Sequence, residues 1–167
     1  MGTEISYANF LKALDSRLKS YFEMHSGYIY CKEGCSACCE KGDYPISEAE
    51  LKYLMQGYIA LENDKKILVQ ENMQSLEKGG KCPFLIDSKC SVYKYRPIIC
   101  RVHGLAYFCK DKVAKVPYCV NLGLNYKDNY SKGELLAEPI GENLDTQEIL
   151  KGYEFGEIRN LYEWLKP

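Results

Sequence analysis

The chain has 167 residues, 46% of them hydrophobic and 27% charged, with a formal net charge of −1. That length is enough for one domain over 1–167, and the balance is that of an ordinary soluble protein, neither disordered nor cationic. No overall charge draws it to nucleic acid or an anionic bilayer, and no stretch reaches the roughly 20 apolar residues of a membrane span.

The opening, MGTEISYANFLKALDSRLKSYF, lacks the basic, apolar and small-residue succession of a secretory leader. Gly2 with Ser6 fits the start of a myristoylation signal, but no basic cluster follows to supply a second anchor. The expectation is a cytoplasmic protein with no membrane partner. Ile5, Phe10, Leu11, Leu14, Leu18, Tyr21 and Phe22 share a helical stripe, with Lys12, Asp15, Arg17 and Lys19 off it, which predicts an amphipathic helix over 5–22.

The next stretch, CKEGCSACCEKGDYPIS, carries Cys31, Cys35, Cys38 and Cys39 among glycines, as a loop wrapped round an ion would. Ser47 followed by Glu50 is a capping-box signature for a second helix, with Leu51, Leu54 and Met55 facing inward. A third helix is predicted over about 60–78, ending at Gly79-Gly80. Pro83 and Pro97 then favour short extended pieces and turns, and RVHGLAYFCKDKVAKVPYCV predicts a hairpin turning at Lys110–Lys112. NLDTQEILKGYEFGEIRNLYEWL reads as a closing amphipathic helix capped by Asp145 or Thr146. The fold class expected is mainly α: a small single domain of amphipathic helices flanking an irregular, metal-organised cysteine-rich centre, with at most a short β-hairpin.

Nine cysteines are the anomaly. A reducing cytosol disfavours a disulfide framework, and an odd count leaves one thiol over. Burial as small hydrophobes explains isolated cysteines, not four within nine residues. Metal ligation does explain them, because the spacing of Cys35 and Cys38 presents two sulfurs to one ion at ~2.3 Å. Cys82, Cys90, Cys100, Cys109 and Cys119 supply further donors from far along the chain. All-thiolate shells suit zinc and iron–sulfur clusters alike. Lys81–Cys119 has a local charge of +6, opposite in sign to a thiolate shell, against −4 for Ser131–Pro167. His25 and His103 read better as hydrogen-bonded or surface side chains than as ligands.

These motifs resemble the YkgJ family of cysteine-cluster proteins. Cys31–Cys39 is similar to its CxxCxxCC signature, with one extra residue in the first gap. CPFLIDSKCSVYKYRPIICR matches its second block at Cys82–Leu85, Cys90–Tyr93 and Arg96–Arg101, and YCVNLG resembles its last cysteine motif, so the likeness spans about 28–123. The resemblance implies zinc or iron chelation through Cys31, Cys35, Cys38, Cys39, Cys82, Cys90, Cys100 and Cys119, and leaves Cys109 without a counterpart. It also implies roles for Tyr93, Arg96, Pro97 and Arg101, read physically as braces for the ligand loops.

The function expected is that of a metal-binding cysteine-cluster protein holding an iron–sulfur cluster or zinc, with redox or sulfur-related chemistry open to it. The alternative is a structural zinc module presenting a surface to protein or nucleic acid; the neutral overall charge and the lack of a recognised motif argue against nucleic acid. The partner expected is a small molecule or a protein. A hydrolytic zinc site would need a base, for which Glu40, Asp43 and Asp87 lie nearby in sequence.

Overall fold

The structure, a computed structural model, describes residues 6–32 and 34–166; the readings made for Gly2 and Ile5 lie outside them. In chain order the elements are α1 (Tyr7–Met24), β1 (Pro45–Ser47), α2 (Glu48–Ile59), α3 (Asn63–Gln74), β2 (Leu85–Ile86), β3 (Lys89–Cys90) and α4 (Ile98–Val102). There follow β4 (Tyr107–Phe108), β5 (Ala114–Lys115), β6 (Tyr130–Ser131), β7 (Glu134–Leu135), α5 (Thr146–Lys151), β8 (Ile158–Asn160) and α6 (Leu161–Leu165). They fall into two compact units, one of 1–31 with 101–153, the other of 32–100 with 154–167. Among the described residues no helix is long and apolar enough to cross a membrane.

In the first unit, Ser6 caps α1 by accepting the Asn9 N–H at 3.3 Å, and the stripe expected from sequence buries Phe10, Leu11, Leu14 and Leu18. Arg101, buried, pairs with Asp15 of α1 through one guanidinium nitrogen, Nη1, which lies 2.8 and 2.6 Å from the two carboxylate oxygens. A separate core gathers Ala106, Val120, Tyr126 and Ala137. The hairpin expected near Lys110–Lys112 is present as β4 and β5, with Tyr107 opposite Lys115. A second hairpin joins β6 and β7 through Lys132-Gly133, both with positive φ, as a type I′ turn requires.

The second unit is built on the capping box at Ser47, which the sequence marks and the structure contains: Ser47 Oγ accepts the Glu50 N–H, and the Glu50 carboxylate accepts the Ser47 N–H. Its core joins Ile46, Leu54, Val69, Phe84, Val92 and Leu161. Asp87 and Ser88 both take positive φ and turn β2 back onto β3, so that Leu85 faces Cys90.

Three expectations are corrected. In place of at most one short hairpin, the described residues form four two-stranded pairs, and one of them, β1 with β8, joins segments far apart in sequence. The third helix ends at Ser75, whose hydroxyl bonds back to the carbonyls of Glu71 and Asn72, short of Gly79-Gly80. The closing segment is not one helix but α5, β8 and α6. Its middle is extended because the first N–H groups of α2 have no partner within their own helix. Glu48 N–H donates to the Glu157 carbonyl at 2.9 Å and Ala49 N–H to that of Phe155 at 3.0 Å. Gly156 lies between them at φ +84, where a β-carbon would sit 2.7 Å from that of Glu48. Both the backbone twist and the close approach demand glycine there.

Candidate metal centre

The second unit brings together the thiols of Cys38, Cys39, Cys82, Cys90 and Cys100. Cys38 and Cys39 sit in a tight turn begun by the Cys39 N–H bonding to the Ser36 carbonyl, and their sulfurs are 3.9 Å apart. The Tyr44 hydroxyl donates to the Cys38 carbonyl at 2.8 Å and steadies the turn from below. The Cys82 N–H donates to the Cys39 carbonyl at 2.8 Å, which ties the two cysteine blocks directly together. That contact depends on Gly42, where a β-carbon would stand 2.4 Å from the Cys82 β-carbon. Cys82 precedes the β2–β3 hairpin, Cys90 ends its second strand, and Cys100 lies in α4.

Backbone dipoles converge on the sulfurs. The backbone amides at Phe84 and Leu85 favour the Cys82 thiolate and the amide at Val92 favours that of Cys90. Arg96 favours the ionised forms of Cys38, Cys90 and Cys100 while its guanidinium stacks 3.8 Å over the Tyr93 ring. Against these pulls stand burial and mutual repulsion. Burial pushes the Cys82 thiol up to about 12 and also raises Cys90 and Cys100, with neighbouring thiolates adding to the rise. The Cys39 thiol donates to Cys38, which brings Cys38 down to about 7 and pushes Cys39 up. Every pair drawn from Cys38, Cys82, Cys90 and Cys100 interacts electrostatically, so these four share one neighbourhood.

The sulfurs do not yet close on a point: among the described residues, no three His, Cys, Asp or Glu side chains stand as a set that could hold one ion. All nine cysteines are free thiols. The donor chemistry nonetheless fits a thiophilic metal, because sulfur-directed N–H groups and a guanidinium are the surroundings that a thiolate shell needs.

The remaining sequence candidates are placed differently. Cys35 belongs to the second unit and is exposed, with its N–H bonded to the Lys32 carbonyl. Cys31 and Cys119 belong to the first unit. There the Asn125 side chain accepts both the Tyr30 and Cys31 N–H groups through Oδ1, while its Nδ2 lies 2.7 Å from the Cys31 sulfur. Cys119 is buried near Tyr126. Cys109 lies beside the β4–β5 turn. His25 is buried and bonded through Nδ1 to the Tyr126 hydroxyl at 2.8 Å; His103 packs its ring against Tyr118. Of the carboxylates considered as bases, Asp43 accepts the Gly79 and Tyr162 N–H groups, and Asp87 sits in the β2–β3 turn.

Sequence reasoning counted Gly42 only among the glycines of a loop round an ion, and missed Tyr44 and Asn125. Gly42, inside the cysteine run, carried a signal, since a glycine among ligands marks a close backbone approach. Asn125 carried none, because it lies more than ninety residues beyond the thiol it touches.

Residues 30–123, more than half of the chain, match the family described as "CxxCxxCC: Putative zinc- or iron-chelating domain". The chain belongs to the CxxCxxCC family. The matched stretch contains all nine cysteines, Gly42 and the capping box at Ser47, whereas Asn125 and the β8 strand lie beyond it. Comparison with curated proteins and with solved structures gave no match.

Proposed function

We propose that this CxxCxxCC protein binds zinc or iron at the thiol cluster of its second unit, with Cys38, Cys82, Cys90 and Cys100 as the four ligands. What supports the reading is the hydrogen bond from the Cys82 N–H to the Cys39 carbonyl, which ties the two cysteine blocks together, with the mutual electrostatic influence of those four thiols beside it. Holding an ion would require the cysteine side chains to turn between staggered rotamers so that their sulfurs converge. Cys39 and Cys35 are reserve thiols of the same unit; Cys31, whose surroundings Asn125 organises, and Cys119 belong to the first unit and stand outside this set.

The backbone N–H groups at Cys82 and Cys90 stabilise bound thiolates, and Arg96 offsets part of the −2 charge that four thiolates leave on a divalent ion. An iron–sulfur cluster would supply electron transfer here; zinc would supply structure. Protein purified under anaerobic conditions answers both questions at once. Elemental analysis is expected to find about one metal centre per chain, and Cys→Ser changes at positions 38, 82, 90 and 100 to abolish it. A brown sample absorbing in the blue selects iron–sulfur, and a colourless one with stoichiometric zinc selects zinc. Metal-free protein that takes up neither would end the proposal.

A further inference from the structure

We propose that Glu50 is a positioning residue for the metal centre: its carboxylate holds the turn that carries Cys100. The inference rests on the reading of Cys100 as a ligand and adds a residue that no cysteine motif contains.

Glu50 is 0% exposed. A carboxylate so buried persists only when its oxygens are saturated by donors. Capping α2 engages one of them: Oε2 accepts the Ser47 N–H at 2.7 Å and the Ser47 hydroxyl at 2.8 Å. The other reaches across the unit, where Oε1 accepts the Ile98 N–H at 2.9 Å. Ile98 opens α4, and its N–H is one of the donors that a helix start leaves without an intrahelical acceptor. Pro97 before it has no N–H to offer, and its carbonyl takes the Cys100 N–H at 3.1 Å. The Pro97–Cys100 turn is thus pinned to the rigid, capped end of α2 through one oxygen of Glu50. A capping glutamate needs no burial and no second acceptor role, so helix capping alone does not account for this arrangement.

The consequence falls on binding. A ligand whose backbone is already held loses less freedom when it closes on the ion, so residues that orient ligands are felt in metal affinity.

Two single variants separate this role from helix capping. Glu50→Gln keeps size and shape, and glutamine still completes a capping box, but its one carbonyl oxygen serves either Ser47 or Ile98, not both. Ser47→Ala removes the capping hydroxyl and leaves the bond to Ile98. Zinc affinity is to be measured under reducing conditions by competition with a chromophoric chelator, alongside the melting temperature of the metal-free protein. Glu50→Gln is expected to weaken zinc binding about tenfold or more. Ser47→Ala is expected to lower the melting temperature and leave zinc affinity unchanged. Equal zinc affinity for Glu50→Gln and the native protein, or an equal loss in both variants, overturns the proposal. If circular dichroism shows Glu50→Gln unfolded, hydrogen exchange of the native, metal-free protein decides: protection of the Ile98 amide supports the pin, and free exchange overturns it. Native protein that takes no zinc or iron at all defeats the metal reading itself, a result distinct from zinc-binding protein indifferent to position 50.

Discussion

Gly42 and Cys82 approach so closely that a β-carbon on the first would lie 2.4 Å from the β-carbon of the second and 3.1 Å from the Cys39 carbonyl oxygen. Both neighbours are main chain or stiffly attached to it, so neither can swing away. Gly42→Ala is therefore expected to push the two cysteine blocks apart. Overpacking of this kind costs about 1–3 kcal/mol. The melting temperature should fall, and zinc affinity with it, because the displaced residue is one of the four proposed ligands. A variant with native stability and native affinity would show that the blocks are not held by this contact.

Metal uptake is expected to release protons. With Cys82 at about 12 and Cys90 and Cys100 raised by burial, these thiols carry their protons at pH 7, whereas Cys38, lowered by the Cys39 thiol, gives up its proton more readily. Four-thiolate binding should then liberate about three to four protons per ion, and affinity should fall as pH falls. Titrating zinc into weakly buffered, metal-free protein in a pH-stat measures the number directly. Release of one proton or none would mean that fewer cysteines bind.

Stability of the metal-free protein is expected to decline on the acid side of neutrality. Burial lowers the pKa of both His25 and His103 below the ordinary 6.5. Their neutral forms are thus favoured in the folded state, and the unfolded chain takes up protons first. The stability they contribute is present above about 6.5 and is lost as pH drops from there toward their folded values. Urea midpoints between pH 7.5 and 5 should fall with acidity, and the fall should be shallower in His25→Gln.

Removal of the acidic partner of Arg101 is expected to be costly. Asp15 receives two bonds from a guanidinium whose side chain is only 6% exposed, while Asp15 itself is 47% exposed. Asp15→Ala removes a charge-assisted hydrogen-bond acceptor from a buried cation, a loss of about 1–3 kcal/mol. Chemical denaturation reads this directly, and Asp15→Asn, which keeps an acceptor but loses the charge, should recover part of it. An unchanged midpoint in Asp15→Ala would assign the pair no part in stability.

Much of this molecule could be read from its sequence, and the reason differs by feature. The stripe of α1 and the capping box of α2 are local, written within a few residues, and both appear in the structure as expected. The third helix stops early through local bonds of the Ser75 hydroxyl, while the closing segment departs from one helix in its middle for the opposite reason. There, apolar periodicity continues past the point where tertiary partners intervene: the Glu48 and Ala49 N–H groups recruit the backbone at 155–157, and β1 recruits β8. Helix periodicity cannot register a donor that waits a hundred residues away. The same limit applies at the site, where clustering identified the thiols but not the split that leaves Cys31 and Cys119 in one unit and the other motif cysteines in the second.

What the sequence determined by itself was chemistry: thiols too many and too crowded for packing, in motifs specific enough to mark the CxxCxxCC family. Residue type and short spacing suffice for that, since they set which donors exist. Only the tertiary structure decided which donors share a neighbourhood, and it did so through contacts with no local signature. Gly42 against Cys82 and Glu50 beneath Ile98 are such contacts, each joining residues forty or more positions apart, where proximity depends on how the intervening chain packs.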